Sequence, residues 1–188
     1  MTSASVQTST LPKQGFAQKI FLRVANWIKA EYRLTHYAHT RWKAEKGDPA
    51  AQYNLGLLCE AGHGVFQTAG EAVKWFQKAA FQGVAGAQLA LGLKYLRGQG
   101  LTQNDAEALL WLRKAAEQGL PEAQFEVANL YRDGRGAARD LLQAAKWYRK
   151  AADRGHAVAK QNFKEVSSSN LGPVQVVAPA PNLERQAA

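Results

Sequence analysis

His36 and His39 stand three residues apart, a spacing that puts two imidazoles on one face of a helix as a metal pair requires. The chain holds only 4 His and 1 Cys, and no second cluster of ligands accompanies the pair, so no metal is expected. Cys59 is the single cysteine. It can make no internal disulfide, and it would act as a nucleophile only if its thiol pKa were lowered. It falls in the same sequence column as Tyr95 and Tyr131, which reads as a packed, inert thiol. Three Gly-x-Gly pairs, Gly62/Gly64, Gly98/Gly100 and Gly134/Gly136, have the glycines of a phosphate loop. No Lys-Ser/Thr follows them and no strand pattern precedes them, so they read as turns. The acidic residues form no matched acid and base pair. No catalytic constellation, cofactor or enzyme activity is expected, and what remains is surface chemistry carried by arginines among apolar side chains.

The elements that position these residues follow from a repeat. Gly47, Gly83, Gly119 and Gly155 are 36 residues apart. Ala51, Ala87, Ala123 and Ala159 keep that period, as do Trp75, Trp111 and Trp147 and the Ala pairs 79–80, 115–116 and 151–152. Self-similarity at one fixed spacing marks a stack of like supersecondary units. The units are 47–82, 83–118 and 119–154, followed by a partial unit at 155–166.

Each unit reads as two antiparallel helices. Helix A covers Pro49–Ala61 in the first unit, with Leu55, Gly56, Leu58 and Cys59 on one apolar stripe. It stops at Gly62, and its counterparts stop at Gly98 and Gly134, since glycine takes the left-handed conformation that a helix C-terminus favours. Helix B starts at a capping box written three times: Thr68-x-x-Glu71, Asn104-x-x-Glu107 and Asp140-x-x-Gln143. In such a box the first side chain accepts from the N–H three residues on, while the Glu or Gln reaches back. Helix B then carries Ala72, Trp75, Phe76, Ala79 and Ala80 inward. Gly56 and Gly92, followed by Ala128, keep helix A narrow so that its partner can approach. The Trp column fills the space between units, because no unit can bury its apolar face alone.

The pattern resembles the Sel1-like repeat, a relative of the tetratricopeptide repeat. The matching residues are Ala51-Gln52-Tyr53-Asn54-Leu55-Gly56, Gly62-x-Gly64-Val65 and Ala72-x-x-Trp75-Phe76-x-Lys78-Ala79-Ala80-x-x-Gly83. Ala87-Gln88-Leu89-Ala90-Leu91-Gly92 with Trp111-Leu112-Arg113-Lys114-Ala115-Ala116 repeats them, as does Ala123-Gln124 with Trp147-Tyr148-Arg149-Lys150-Ala151-Ala152. Cys59 departs from the Tyr usual in that family. The resemblance implies an all-α chain, an α/α superhelical solenoid of three helix–turn–helix repeats with a long N-terminal capping helix and a partial C-terminal repeat. It also implies a non-enzymatic adaptor or scaffold that binds a protein partner. By analogy with tetratricopeptide units, the concave side is lined by Tyr53, Leu57, Glu60 and Ala61; Leu89, Leu93, Leu96 and Arg97; and Phe125, Asn129, Arg132 and Asp133. Of these, Tyr53, Leu57, Leu89, Leu93, Leu96, Arg97, Phe125, Asn129 and Arg132 are the candidate partner-binding residues.

The ends differ from the repeats. Of the net charge of +9, residues 1–46 supply +6, with eight basic and two acidic side chains. Within 16–46, Phe16, Ile20, Phe21, Val24, Trp27, Ile28 and Leu34 fall in one helical sector and Lys19, Arg23, Lys29, Arg33 and Arg41 in the opposite one. This stretch reads as a degenerate half-repeat that caps the array. The alternative function is a membrane-surface tether, with 16–42 lying on anionic lipid. Without aromatic residues interleaved on the basic face, no nucleic-acid partner is expected. No run reaches the ~20 apolar residues of a membrane span, and the first residues lack a signal peptide's apolar core, so a cytoplasmic location is expected. Residues 1–15 and 167–188 read as disordered.

Overall fold

The computed structural model describes Arg23, residues 35–62 and residues 69–170. The expected disorder of 1–15, the apolar sector from Phe16 to Leu34, Thr68 and the segment 171–188 lie outside the described residues. Eight helices and no strand occur among the described residues: α1 (35–45), α2 (Pro49–Ala61), α3 (Ala69–Phe81), α4 (Ala85–Arg97), α5 (Asp105–Glu117), α6 (Pro121–Asp133), α7 (Leu141–Asp153) and α8 (Ala157–Asn170). None is long and apolar enough to cross a membrane. From α2 to α8 successive helices pack on each other, and α1 packs on the first unit through Ala44 and Tyr37, so the repeats are stacked consecutively as an all-α solenoid.

Local chemistry sets the helix ends. Asp48 Oδ1 accepts from Ala51 N at 2.9 Å and Pro49 follows at the first helical position, where its missing N–H costs nothing. Gly62, Gly98 and Gly134 close α2, α4 and α6 with φ of 70°, 66° and 71°. Asn104 Oδ1 caps Ala106 N and Glu107 N of α5, and Asp140 Oδ1 caps Gln143 N of α7.

The other half of the expected capping box is not made. The backbone N–H of Asn104 donates to Tyr95 O at 3.0 Å, and that of Asp140 to Tyr131 O at 2.9 Å. The turn itself satisfies these two donors, which leaves Glu107 and Gln143 free of that duty.

Packing runs between the units as much as within them. A Cβ on Gly56 would sit 2.6 Å from the Phe76 ring, and one on Gly92 2.6 Å from Leu112 Cγ, well inside contact distance. The second glycine of each described turn is equally constrained, since a Cβ on Gly100 would meet Ala69 C at 2.6 Å and one on Gly136 would meet Asp105 O at 2.3 Å. Trp111 joins Val73, Ala79, Ala80, Ala87 and Leu91 in a cluster that spans the first and second units. Trp111 and Trp147 are buried, whereas Trp75 is only half-buried. Lys78, Lys114 and Lys150 each lay an ammonium about 4 Å from the centroid of the Trp three residues before, at 4.1, 4.2 and 4.0 Å.

At the leading end, Ala44 and Thr40 of α1 are buried and Tyr37 packs beside Leu55, Cys59 and Phe76. The described part of this helix therefore covers the first repeat. His39 takes the Trp position and Trp42 the Lys position, and the two rings stack at 6.3 Å. At the trailing end α8 runs to Asn170, beyond the boundary expected at Val166. Val166 is buried, and Ser168 Oγ donates to Glu165 O at 3.0 Å, so the helix carries on into the serines.

Candidate partner-binding surface

The candidate residues sit on α2, α4 and α6, the first helix of each unit, and fall into two groups. Tyr53 and Phe125 belong to the stacking. The Tyr53 ring lies 6.0 Å from that of Phe76, and its hydroxyl crowds the α-carbon of Gly86 on α4, where a Cβ would be 3.0 Å away. Phe125 lies between Tyr148, at 5.8 Å, and His156, which stacks on it at 4.5 Å with an 18° tilt. Leu89 packs in the same way against the core of the second and third units.

Leu57 and Arg97 are the open group, while Leu93 and Leu96 pack, like Leu89, against the core of the second and third units. Leu57 is 41% exposed, Leu93 and Leu96 are half-buried, and Arg97 is exposed. Arg97 makes no ion pair or hydrogen bond with its side chain among the described residues. Asn129 and Arg132 are engaged within the chain. Asn129 Oδ1 accepts from Tyr148 Oη at 2.6 Å and its amide nitrogen donates to Glu126 Oε2 at 3.3 Å. Arg132 grips Asp133 through Nε at 2.8 Å and Nη2 at 3.2 Å. That pairing holds the Asp133 carboxyl below its ordinary pKa and raises that of Arg132.

Three further sets of residues fix this surface. Lys94 is buried in a column that holds Leu58 and Leu130 in the other units, and its ammonium bonds Glu60 of the first unit and Gln99 of its own. Arg135 binds Asp105 in bidentate fashion, at 2.9 and 2.8 Å, and so lowers that carboxyl's pKa. Gln52, Gln88 and Gln124 are buried, and each donates to the carbonyl eight residues back, on Ala44, Ala80 and Ala116, at 3.1, 3.2 and 3.0 Å. The signal for the Gln set was the 36-residue column itself. A polar side chain held at a stacking position needs a backbone partner.

The remaining chemistry-bearing residues offer little. Cys59 is 3% exposed and burial pushes its thiol pKa up, opposite to what a nucleophile needs. His36 and His39 are exposed, and no group of three or more His, Cys, Asp or Glu is gathered as a metal site among the described residues.

The comparisons follow this geometry. The Sel1 repeat model matches residues 49–84, 85–120 and 121–156, the same 36-residue period entered two residues later. Among curated proteins none matches the sequence. The crystal structure of a Sel1 repeat protein from Oxalobacter formigenes is 35% identical with a TM-score of 0.70, covering 79% of this chain and 61% of that one. A protective antigen present in uropathogenic Escherichia coli strains, displaying an SLR fold, is 36% identical with a TM-score of 0.67, covering 69% of this chain and 28% of that one. The chain thus spans less than two thirds of either neighbour's length. On the three matched repeats and this stacking, the chain belongs to the Sel1 repeat family.

Proposed function

We infer that this protein is a non-enzymatic adaptor whose helix-A face receives a segment of a protein partner. Sel1 repeats are, in general, protein–protein interaction modules. The observation that carries the reading is the open group on α2 and α4. Leu57 is exposed where Leu55 beside it is fully buried, and the half-buried edges of Leu93 and Leu96 lead to the exposed Arg97, whose side chain has no partner among the described residues. Apolar anchors with one orienting charge are what an extended or helical partner segment requires. Because Asn129 and Arg132 are already satisfied within the chain, the second unit rather than the third supplies the orienting group.

The test is site-specific photocrosslinking in the native host. A benzophenone side chain at Leu57 or Leu93 should give a discrete adduct that Arg97→Glu abolishes. The same group at Lys146, exposed on α7, should give none. Adducts from position 146 with none from 57 or 93 would place the partner on the other face and overturn the reading.

A further inference from the structure

A cleft of about 410 Å³ opens between α3, α4, the turn after α4 and α5. Phe81, Trp111 and Tyr95 supply aromatic surface, Thr102 and Gln103 neutral polar groups, and Glu107 the single charge among its lining residues. Phe81 is 76% exposed and meets the Trp111 ring edge-on, with centroids 5.1 Å apart and planes at 88°. An exposed phenyl ring buries little area by itself and contributes most when something covers it.

Glu107 sets the charge of the cleft. Its position in the first turn of α5 suits a carboxylate, yet it lacks the partners its counterparts would suggest. In the first unit Glu71 bonds Lys74, three residues on, at 2.8 Å. The residue three on from Glu107 is Leu110, which is 46% exposed, so no cation reaches back along the helix. Nor is Glu107 used as a cap, because the Asn104 N–H it would accept from is bonded to Tyr95 O. Among the described residues its carboxylate makes no ion pair or hydrogen bond, though it is half-buried.

The corresponding cleft in the third unit has a different charge pattern. Its lining includes Tyr131 and the oppositely charged Arg139 and Asp140, and the residue in the Glu107 column there is the neutral Gln143. Of the second and third units, only the second has a carboxylate in this column.

We propose that this cleft is a recognition site for an arginine side chain of a partner protein, the guanidinium stacking on Phe81 and pairing with Glu107. The choice follows from charge and shape. A half-buried carboxylate without a cation gains most from one delivered with little desolvation cost, and guanidinium is more weakly hydrated than ammonium. Its flat faces stack on aromatic rings while its edge bonds a carboxylate through two N–H groups. Thr102 and Gln103 present acceptors for the remaining N–H groups.

The test is titration of the ¹⁵N-labelled full chain with L-argininamide, read from the amides of Phe81 and Glu107 and the indole N–H of Trp111. Saturable shifts at these signals are expected, weakening as salt rises. Citrullinamide, which keeps the shape without the charge, should move them far less. Glu107→Gln, which installs the side chain found at position 143, should weaken argininamide about tenfold, and Phe81→Ala should weaken it while the chain stays folded, its melting temperature lowered only by the loss of the edge-on contact with Trp111. Were Glu107→Gln to unfold, the Phe81→Ala comparison reads the same site. The assignment is overturned if argininamide moves none of these signals, if citrullinamide moves them equally, or if folded variants respond as the parent does.

Discussion

Gln118 Nε2 donates to Gln88 Oε1 at 2.8 Å and to Gly83 O at 2.9 Å, across 30 and 35 residues. Gln88 in turn donates to Ala80 O, so one relay joins the last turn of α5 to that of α3 through α4. Gln82 and Gln52 make the same contact one unit earlier, at 2.7 Å. In the third unit the place of Gln82 and Gln118 is taken by Arg154, and the buried Gln124 Oε1 has no partner.

Arg154→Gln should therefore stabilise the protein, by about 0.5–1.5 kcal/mol for one completed hydrogen bond. Gln88→Ala should destabilise it by about 1–3 kcal/mol, since a buried carbonyl loses its donor. Calorimetric melting of the two variants checks both signs. A lower melting temperature for Arg154→Gln would show that the guanidinium already serves Gln124.

Gly92→Ala should cost about 1–3 kcal/mol by overpacking, because the added carbon would lie 2.6 Å from Leu112 Cγ and 3.2 Å from Ala108 O. Leu112 Cγ is a branch point and Ala108 O is backbone, so neither moves aside cheaply. Urea unfolding measures the loss. An unchanged midpoint would mean that α4 and α5 slide apart without penalty.

The Trp column should be graded. Trp111→Ala empties a site that is 5% exposed and should cost about 3–5 kcal/mol. Trp75→Ala, at the half-buried position of the same column, should cost clearly less. Equal losses would mean that α1 and the residues before it bury Trp75 as deeply as α4 buries Trp111.

Acid should weaken the link between the second and third units. Hydrogen bonding by Arg135 lowers the Asp105 pKa below its unfolded value. A depressed carboxyl stabilises the fold above the unfolded pKa of about 4 and loses that contribution as pH falls through the folded pKa. Asp105→Asn should melt lower than the parent at neutral pH, modestly because the pair is partly exposed. Below about pH 4 the two melting curves should converge. Parallel curves across that range would remove Arg135 and Asp105 from the acid response.

The sequence alone determined the repeat, and the repeat determined the helices. Pro49–Ala61 was legible as a helix because its start, its apolar stripe and its closing glycine are all local signals. The narrow positions Gly56 and Gly92 were legible from the same columns. The arrangement of the candidate surface was only partly so. Leu57 and Arg97 stand open on it, but Asn129 and Arg132 gave no hint in sequence that Tyr148 and Asp133 would occupy them.

Only the tertiary structure decided the cross-unit pairs. Lys94 meets Glu60 and Arg135 meets Asp105 at separations of 34 and 30 residues, set by how far one unit is displaced on the next. Periodicity reports which face a residue occupies, whereas these contacts depend on the rise and rotation between units, which side-chain packing fixes. The same holds for Glu107. Leu110 in the Lys74 column is legible in the sequence, but the turn that bonds Asn104 N–H to Tyr95 O and so takes the donor Glu107 would cap is a backbone contact that no spacing of residue types encodes.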